Sequence, residues 1–129
     1  MMAVDTNVIV RLVVADDPHQ WTLAKQCVAE GVFVPHGVFM EAEWVLRTSY
    51  RLPTAWVADA LMDLVNLDCV QCDDPDLLRW AIGRYREGAD LADMLHLVAA
   101  RGHAGLATFD RALPRQAGDD APTPIEVLK

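Results

Sequence analysis

Short apolar segments recur along this chain, and segments with helical character separate them. Val32 to Pro35, with the sequence VFVP, is the clearest example, since it carries no polar side chain. Strands of a parallel sheet that is covered on both faces read as continuous apolar runs of this kind. Because such runs alternate with helices, the sequence predicts an α/β fold with a short, mainly parallel sheet of about four to five strands flanked by helices.

The boundaries of these elements follow from caps, turns and apolar periodicity. The predicted strands cover residues 2–4, 32–35, 69–72, 106–109 and 125–128. The predicted helices cover residues 8–14, 19–30, 37–49, 53–64, 75–87 and 90–101. The segment GDDAPTP reads as a turn-rich loop, and no repeat, linker or low-complexity tract divides the chain. We therefore expect a single domain over residues 1–129.

Four acidic residues lie at or inside apolar segments: Asp5 in MMAVDTNVIV, Glu41 in GVFMEAEWVLR, Asp93 in DLADMLHLVAA and Asp110 in GLATFD. Ionised carboxylates are rarely buried unless they are paired or bind a metal. Asp5 and Asp110 each follow a predicted strand, and ligands of open parallel sheets bind at the carboxyl ends of strands. Acids that converge repel each other, and a divalent cation relieves that repulsion. The pattern predicts an acidic, metal-binding pocket.

Glu41 and Glu43 compete for one place in this pocket. They are about 200° apart on their predicted helix, so both cannot face the same site. Both flank the apolar stripe of the helix at comparable angles, and the helix geometry alone does not choose between them. Arg47 lies four residues after Glu43, which is the favoured order for a surface ion pair. An ion pair with Arg47 accounts for Glu43 without a role in the pocket. Glu41 is therefore the favoured glutamate of the pocket.

Asp90 and Asp93 lie three residues apart at the start of one predicted helix, hence on nearly the same face. An N-cap role explains Asp90, and a role in orienting metal ligands stays open beside it. Asp93 is already among apolar neighbours and has no such simple explanation. His96 is about 60° from Asp93 around the helix and can border the pocket. A partly buried helix histidine is the favoured interpretation of His96.

Composition excludes several classes of protein. A net charge of −8 and a pI of about 4.7 argue against a general nucleic-acid coat protein. They are compatible with a nuclease, whose phosphate contacts come from a few arginines, and nine of the eleven basic residues are arginine. The absence of a long apolar run and of a basic leader predicts a cytoplasmic protein without membrane association. Cys27, Cys69 and Cys72 are interpreted as ordinary thiols.

Taken in order, the segments VDTNVIVRL, MEAEWVLR, DLADMLHLVAA and ATFDRAL resemble those of PIN domains. More narrowly, the chain is similar to the VapC-type toxins of type II toxin–antitoxin pairs, and the similarity covers essentially its whole length. The resemblance implies a compact αβα sandwich and a Mg²⁺-dependent endoribonuclease, with Mn²⁺ able to substitute. Such a toxin cleaves cellular RNA and inhibits translation until an antitoxin neutralises it.

The resemblance also implies roles for particular residues. The family's catalytic and metal-binding acids match Asp5, Glu41, Asp93 and Asp110. Positions beside these acids, which orient carboxylates or water in such proteins, match Thr6, Asn7 and Thr108, and the position of Asp90 is often acidic too. Whether one metal ion or two are bound stays open.

Partners follow from the same resemblance. It implies a homodimer and inhibition by an antitoxin. An acidic pocket can also bind a guanidinium, and apolar helix faces can bind an amphipathic segment, so we predict a basic, amphipathic antitoxin tail, disordered when free, that lies along the N-terminal helices and points an Arg or Lys at the acids. The negative net charge agrees with such a partner. Trp44 lies off the apolar stripe of its helix and is interpreted as a protein-interface residue.

Two other classes of function are alternatives to a nuclease. A phospho-acceptor receiver domain needs a lysine on its last strand, and neither Lys25 nor Lys129 is in place. An acidic protein-binding module of the same fold, without catalytic activity, is the remaining alternative. Substitution of one catalytic acid separates this module from the enzyme, because only the enzyme then loses an activity.

Overall fold

The computed structural model describes residues 1–129, which form seven helices and five short strands. The strands are β1 (Met2–Ala3), β2 (Val32–Phe33), β3 (Val70–Gln71), β4 (Leu106–Thr108) and β5 (Ile125–Val127). The helices are α1 (Thr6–Val14), α2 (Pro18–Ala29), α3 (His36–Thr48), α4 (Thr54–Val65), α5 (Pro75–Arg86), α6 (Leu91–Ala99) and α7 (Leu113–Ala117). This arrangement confirms the predicted mixed α/β fold with parallel strands. Each predicted element is present to within a few residues, and only α7 was not predicted.

The chain forms two compact units, Met1–Pro75 and Asp76–Lys129, which we call unit 1 and unit 2. The strands accordingly form two parallel sheets, one of three strands and one of two. No helix combines the length and the apolar character that a membrane span requires.

Unit 1 contains the three-stranded sheet in the order β1-β2-β3. Its centre is β2, in which Val32 pairs with Met2 on one side and with Val70 on the other. The VFVP run is mostly buried as predicted, but the strand ends at Phe33, and Pro35 already precedes α3. Helix α1 packs against α2 and α3, and α3 packs against α4. The largest fully buried side chains of this unit include Ile9, Phe39, Leu46, Leu61 and Val57.

Unit 2 contains β4 and β5, which pair in parallel from Leu106↔Ile125 to Thr108↔Val127. Gly105 allows the two segments to approach, because a Cβ at that position would lie 2.9 Å from the carbonyl oxygen of Pro124. The fully buried side chains of this unit belong mainly to α5 and α6: Leu78, Ile82, Leu91, Met94 and Leu97. Burying one side chain of this size stabilises a fold by about 1.5–3 kcal/mol. The core therefore fixes the start of α6, where Asp93 lies, and pairing with β5 holds the end of β4, which Asp110 follows.

Candidate functional site

Asp5 is the N-cap of α1 and directly follows the buried Val4. Its backbone is extended, and its Oδ1 accepts a hydrogen bond from the backbone N–H of Val8 at 3.3 Å. The helix begins at Thr6, two residues before its predicted start, because Asp5 itself supplies the cap. The exposed carboxylate is stabilised by the positive end of the helix dipole. Its Oδ2 accepts no hydrogen bond and is available to a ligand.

The two residues after Asp5 differ in their surroundings. Thr6 is buried, and Asn7 is exposed. Asn7 lines a shallow groove between α1 and α2, together with Arg11 and Cys27. The predicted role of Thr6 and Asn7 in orienting a carboxylate or a water therefore stays a prediction.

Glu43 makes the predicted ion pair with Arg47, but the prediction that this pair lies on the surface is wrong for the glutamate. The Glu43 Oε2 accepts from Arg47 Nε at 2.7 Å, and its Oε1 accepts from Arg47 Nη2 at 3.5 Å. Glu43 is only 6% exposed and shares the buried face of α3 with Phe39 and Leu46. The buried stripe of α3 therefore includes Glu43, which was predicted to lie at its flank. Arg47 neutralises the charge of Glu43 there.

Glu41 is exposed and makes no ion pair. It lies about 200° around the helix from Glu43, on the side turned away from the buried stripe. The fold therefore does not use the Glu41 carboxylate in an ion pair. Its assignment as the glutamate of the metal site stays a prediction that rests on the order of the sequence motifs.

Asp90 and Asp93 are held together at the start of α6. The Oδ1 of Asp90 accepts from the backbone N–H of Asp93 at 3.0 Å, which confirms Asp90 as the N-cap. Asp93 lies in the first turn and is half-buried. Burial raises the pKa of Asp93 most, and the negative charges of Asp90 and then Asp110 raise it further. The structure thus brings three of the predicted site acids into electrostatic contact.

His96 lies one turn after Asp93 and is exposed, so its interpretation as a partly buried histidine is wrong. Its positive charge lowers the pKa of Asp93 and offsets part of the increase caused by the two acids. The open interpretation, in which His96 borders the acids, is the one that the geometry favours.

Asp110 lies in a loop that two side chains brace. The Oγ1 of Thr108 accepts from the backbone N–H of Asp110 at 2.9 Å, and Asp110 Oδ1 accepts from the N–H of Ala112 at 2.9 Å. Thr108 is itself fixed at the end of β4, where its carbonyl accepts from Leu128 at 2.7 Å. These local side-chain turns define the backbone around the acid. Thr108 therefore braces the backbone of Asp110, and its predicted role in orienting a carboxylate or a water stays a prediction.

Phe109 lies between these two residues, and the predicted fourth strand, which includes it, is one residue too long. The strand ends at Thr108, and the Phe109 side chain is 77% exposed. Its neighbour Arg111 is also exposed and makes no hydrogen bond or ion pair. The sequence does contain a signal for the exposed pair Phe109 and Arg111. It is an aromatic residue directly before a candidate metal ligand and an arginine directly after it.

The chemistry of these donors fits a hard divalent cation, which prefers carboxylate oxygens and retains several waters. Asp5 and Asp110 each use one carboxylate oxygen as a cap or turn acceptor and leave the other free. No three histidine, cysteine, aspartate or glutamate side chains surround a common point as metal ligands would. Free carboxylate oxygens of this kind suit an ion such as Mg²⁺, which needs only one or two direct carboxylates and completes its coordination with water.

Residues 2–119 match the model of the PIN domain family. The chain belongs to this family. Its helices and short parallel sheets are those of a PIN-like αβα fold. PIN domains are generally nucleases that bind RNA and typically use divalent metals, so family membership indicates a nuclease. No curated protein and no solved structure matches the chain.

Proposed function

We propose that this PIN domain is a Mg²⁺-dependent endoribonuclease, the toxin of a VapC-type toxin–antitoxin pair, and that it acts as a single domain. In the cytoplasm it would cleave cellular RNA and inhibit translation until its antitoxin neutralises it. The observation that carries the proposal, in a chain of this family, is the half-buried Asp93 carboxylate held beside Asp90 at the start of α6, where burial first, and then the charges of Asp90 and Asp110, raise its pKa. Neighbouring carboxylates repel each other, and a bound cation relieves that repulsion.

Asp5, Glu41, Asp93 and Asp110 are the proposed catalytic residues and metal ligands. These residues would hold Mg²⁺, or Mn²⁺ in its place, which when bound would supply Lewis-acid activation of the attacking water and stabilisation of charge at the phosphate. The caps and turns around the acids keep their backbones in place before the cation binds: Asp90 at α6 and Thr108 at Asp110. Thr6 and Asn7 would orient Asp5 or a water in the same way.

The experiment compares matched acids in the antitoxin-free protein. Purified protein is incubated with structured cellular RNAs, with Mg²⁺ or with EDTA. We expect cleavage only with Mg²⁺, and none by Asp93→Asn. Asp76→Asn is the control, because Asp76 lies in the first turn of α5 as Asp93 lies in the first turn of α6, but faces solvent. Absence of metal-dependent cleavage of any tRNA, rRNA or mRNA would contradict the nuclease function.

The proposed antitoxin is a protein with a basic, amphipathic tail, and a groove on unit 1 supports this partner. The groove has a volume of about 410 Å³, and its lining is mainly apolar, from α1 and α4. Asp59 and Asp63 also line it, and unit 1 has eleven acidic but only four basic residues. Apolar and basic side chains on one helix would find complementary partners there. The other groove-lining residues are Leu12, Val13, Trp56, Ala60, Leu64 and Leu67.

A homodimer is the proposed oligomeric state. Trp44, on α3, is 56% exposed although it is among the largest apolar side chains of the chain. Tryptophan is enriched where proteins contact each other. Light scattering of the parent protein and of Trp44→Ala tests whether this surface joins two copies.

The alternative is a non-catalytic, acidic protein-binding module of PIN fold, which the excess of acidic over basic residues in unit 1, eleven to four, favours. Asp5→Asn separates the two functions. In an enzyme this substitution abolishes RNA cleavage and toxicity with partner binding largely retained, whereas in a binding module it removes no activity.

A further inference from the structure

Phe109 has the largest exposed fraction, 77%, among the large apolar side chains that reach solvent. Single exposed apolar residues are common on protein surfaces and need no explanation by themselves. Phe109 differs because of its place, between Thr108, which braces the loop, and Asp110, a proposed catalytic acid. An aromatic ring is thus presented to solvent one residue away from the proposed reaction site.

The backbone that carries Phe109 is fixed on both sides. The N–H of Asp110 donates to Thr108 Oγ1 at 2.9 Å, and the N–H of Leu113 donates to the carbonyl of Asp110 at 3.3 Å. Thr108 also pairs with Val127 of β5. The ring therefore projects from a braced turn at the end of a strand. Because the backbone is already fixed, a ligand that covers the ring has to order only the Phe109 side chain.

Arg111 adds a cationic group on the other side of Asp110. Its guanidinium makes no hydrogen bond or ion pair within the protein, and its side chain is exposed. Unit 2 has seven basic and eight acidic residues, whereas unit 1 has four basic and eleven acidic residues. A polyanion is therefore repelled less by the charges of unit 2. An arginine without a protein partner can bind a phosphate bidentately.

We propose that Phe109 is a substrate-positioning residue that stacks on an unpaired nucleobase of the RNA, while Arg111 binds a neighbouring phosphate. The proposal rests on the nuclease function proposed above and assigns the type of RNA that the site accepts. Every nucleobase has a π-face, so stacking on Phe109 selects for an accessible base and not for a particular sequence. Bases inside a continuous duplex are already stacked on both faces. The RNA must therefore be unpaired next to the phosphodiester that is cleaved.

The test measures binding and cleavage separately. Binding of a short fluorescein-labelled oligoribonucleotide of mixed sequence is followed by anisotropy in EDTA at low salt, single-stranded and annealed to its complement. Cleavage of the single strand is followed with Mg²⁺. The variants are Phe109→Ala, Phe109→Leu, Phe109→Trp and Arg111→Gln. The controls from unit 2 are Leu128→Ala, which also removes an exposed apolar side chain, and Arg79→Gln, whose arginine pairs with Asp76.

We expect the single strand to bind more tightly than the duplex. Phe109→Ala should weaken single-strand binding about tenfold, since base–aromatic stacking is typically worth this much. Phe109→Trp should restore binding and Phe109→Leu should not, because only an aromatic ring stacks. Arg111→Gln should weaken binding and reduce its dependence on salt. Both controls should match the parent, and no variant should melt earlier, because Phe109 and Arg111 are exposed.

Several outcomes would overturn the proposal. Unchanged RNA binding by Phe109→Ala, or full binding by Phe109→Leu, would exclude stacking. A change of oligomeric state in Phe109→Ala, with RNA binding intact, would assign the ring to a protein interface instead. Phe109-dependent RNA binding without any cleavage by the parent protein would support the stacking and overturn the nuclease function. A parent protein that neither binds nor cleaves RNA would overturn both.

Discussion

The carboxylate of Asp110, at the end of β4, acts on that of Asp93, in the first turn of α6, and helps to raise its pKa. Burial of Asp93 and the charge of Asp90 act in the same direction, and burial is the largest of the three effects. If a carboxylate did nothing but cap a helix, its negative charge would stabilise the folded state. At Asp93 the fold instead carries a charge that its surroundings disfavour, which is a common feature of functional sites.

The first prediction is a pH dependence of stability that depends on Asp93. Because the pKa of Asp93 is raised in the folded state, the folded protein holds this proton more tightly than the unfolded chain does. This contribution to the free energy of unfolding is present at low pH and is lost as the pH rises through the raised pKa. Without metal at neutral pH, Asp93→Asn should therefore be more stable than the parent, and its advantage should disappear on acidification. Urea unfolding across this pH range measures the difference, and Asp76→Asn should follow the parent.

The second prediction concerns the metal. A cation that binds only the folded acids stabilises the protein by mass action, so Mg²⁺ or Mn²⁺ should raise the Tm of the parent. Asp93→Asn and Asp110→Asn should show a smaller shift or none, although they fold in the absence of metal. Differential scanning calorimetry with increasing Mn²⁺ provides the measurement. Equal shifts in the parent and in both variants would show that the ion binds elsewhere.

The local structure around two of the candidate acids could be predicted from sequence because near neighbours define it. The cap at Asp90 was located correctly, and the strand before Asp110 was located to within one residue. The environment of Glu43 depends on how α3 is rotated against the core, which the apolar pattern of a single helix does not determine. The end of β4 was predicted one residue too late, at Phe109, because the turn that ends the strand involves a hydrogen bond from the N–H of Asp110 to Thr108.

The pairing of the strands was also beyond the local pattern. Strands of two or three residues have few side chains with which to specify a neighbour, so the division into sheets of three and two was not apparent. Helix α7 was missed for a related reason, since its five residues, with Pro114 at the start, are too few to show a helical period.

The third prediction separates the two glutamates of α3. Glu41→Gln should abolish cleavage and leave the free energy of unfolding nearly unchanged, because Glu41 is exposed and unpaired. Glu43→Gln should keep cleavage but lower the free energy of unfolding by about 1–2 kcal/mol, since it weakens the hydrogen bonds from Arg47 to a buried group. Urea titrations and RNA cleavage are measured on both variants. The opposite pattern would exchange the roles of the two residues.

The fourth prediction concerns Thr108. Thr108→Val preserves the shape of the side chain and removes the oxygen that accepts from Asp110, so the loop loses one brace. We expect cleavage to fall, with a loss in stability of about 1 kcal/mol, as for a typical hydrogen bond. Thr108→Ser keeps the hydroxyl and should retain most of the cleavage rate. If Thr108→Ser were as inactive as Thr108→Val, the methyl group and not the hydrogen bond would be the essential part.

The last prediction concerns the antitoxin tail and the surface that attracts it. The acids of unit 1 should accelerate the approach of a basic tail, and Asp59 and Asp63 lie in the groove that its apolar side chains would occupy. The double variant Asp59→Asn/Asp63→Asn should therefore associate more slowly with the tail and show a weaker dependence on salt. The double variant Glu30→Gln/Asp73→Asn removes the same charge from exposed positions that do not line the groove, and it should bind nearly as the parent does.

If an Arg or Lys of the tail also reaches the catalytic acids, Mg²⁺ should compete with the tail, and Asp93→Asn should weaken its binding. Stopped-flow association with and without Mg²⁺ distinguishes the two contributions, because groove charges change the association rate whereas a contact with the acids changes the dissociation rate. Binding that depended on the groove but was indifferent to Mg²⁺ and to Asp93 would place the inhibitor in the groove alone, without a contact to the metal site.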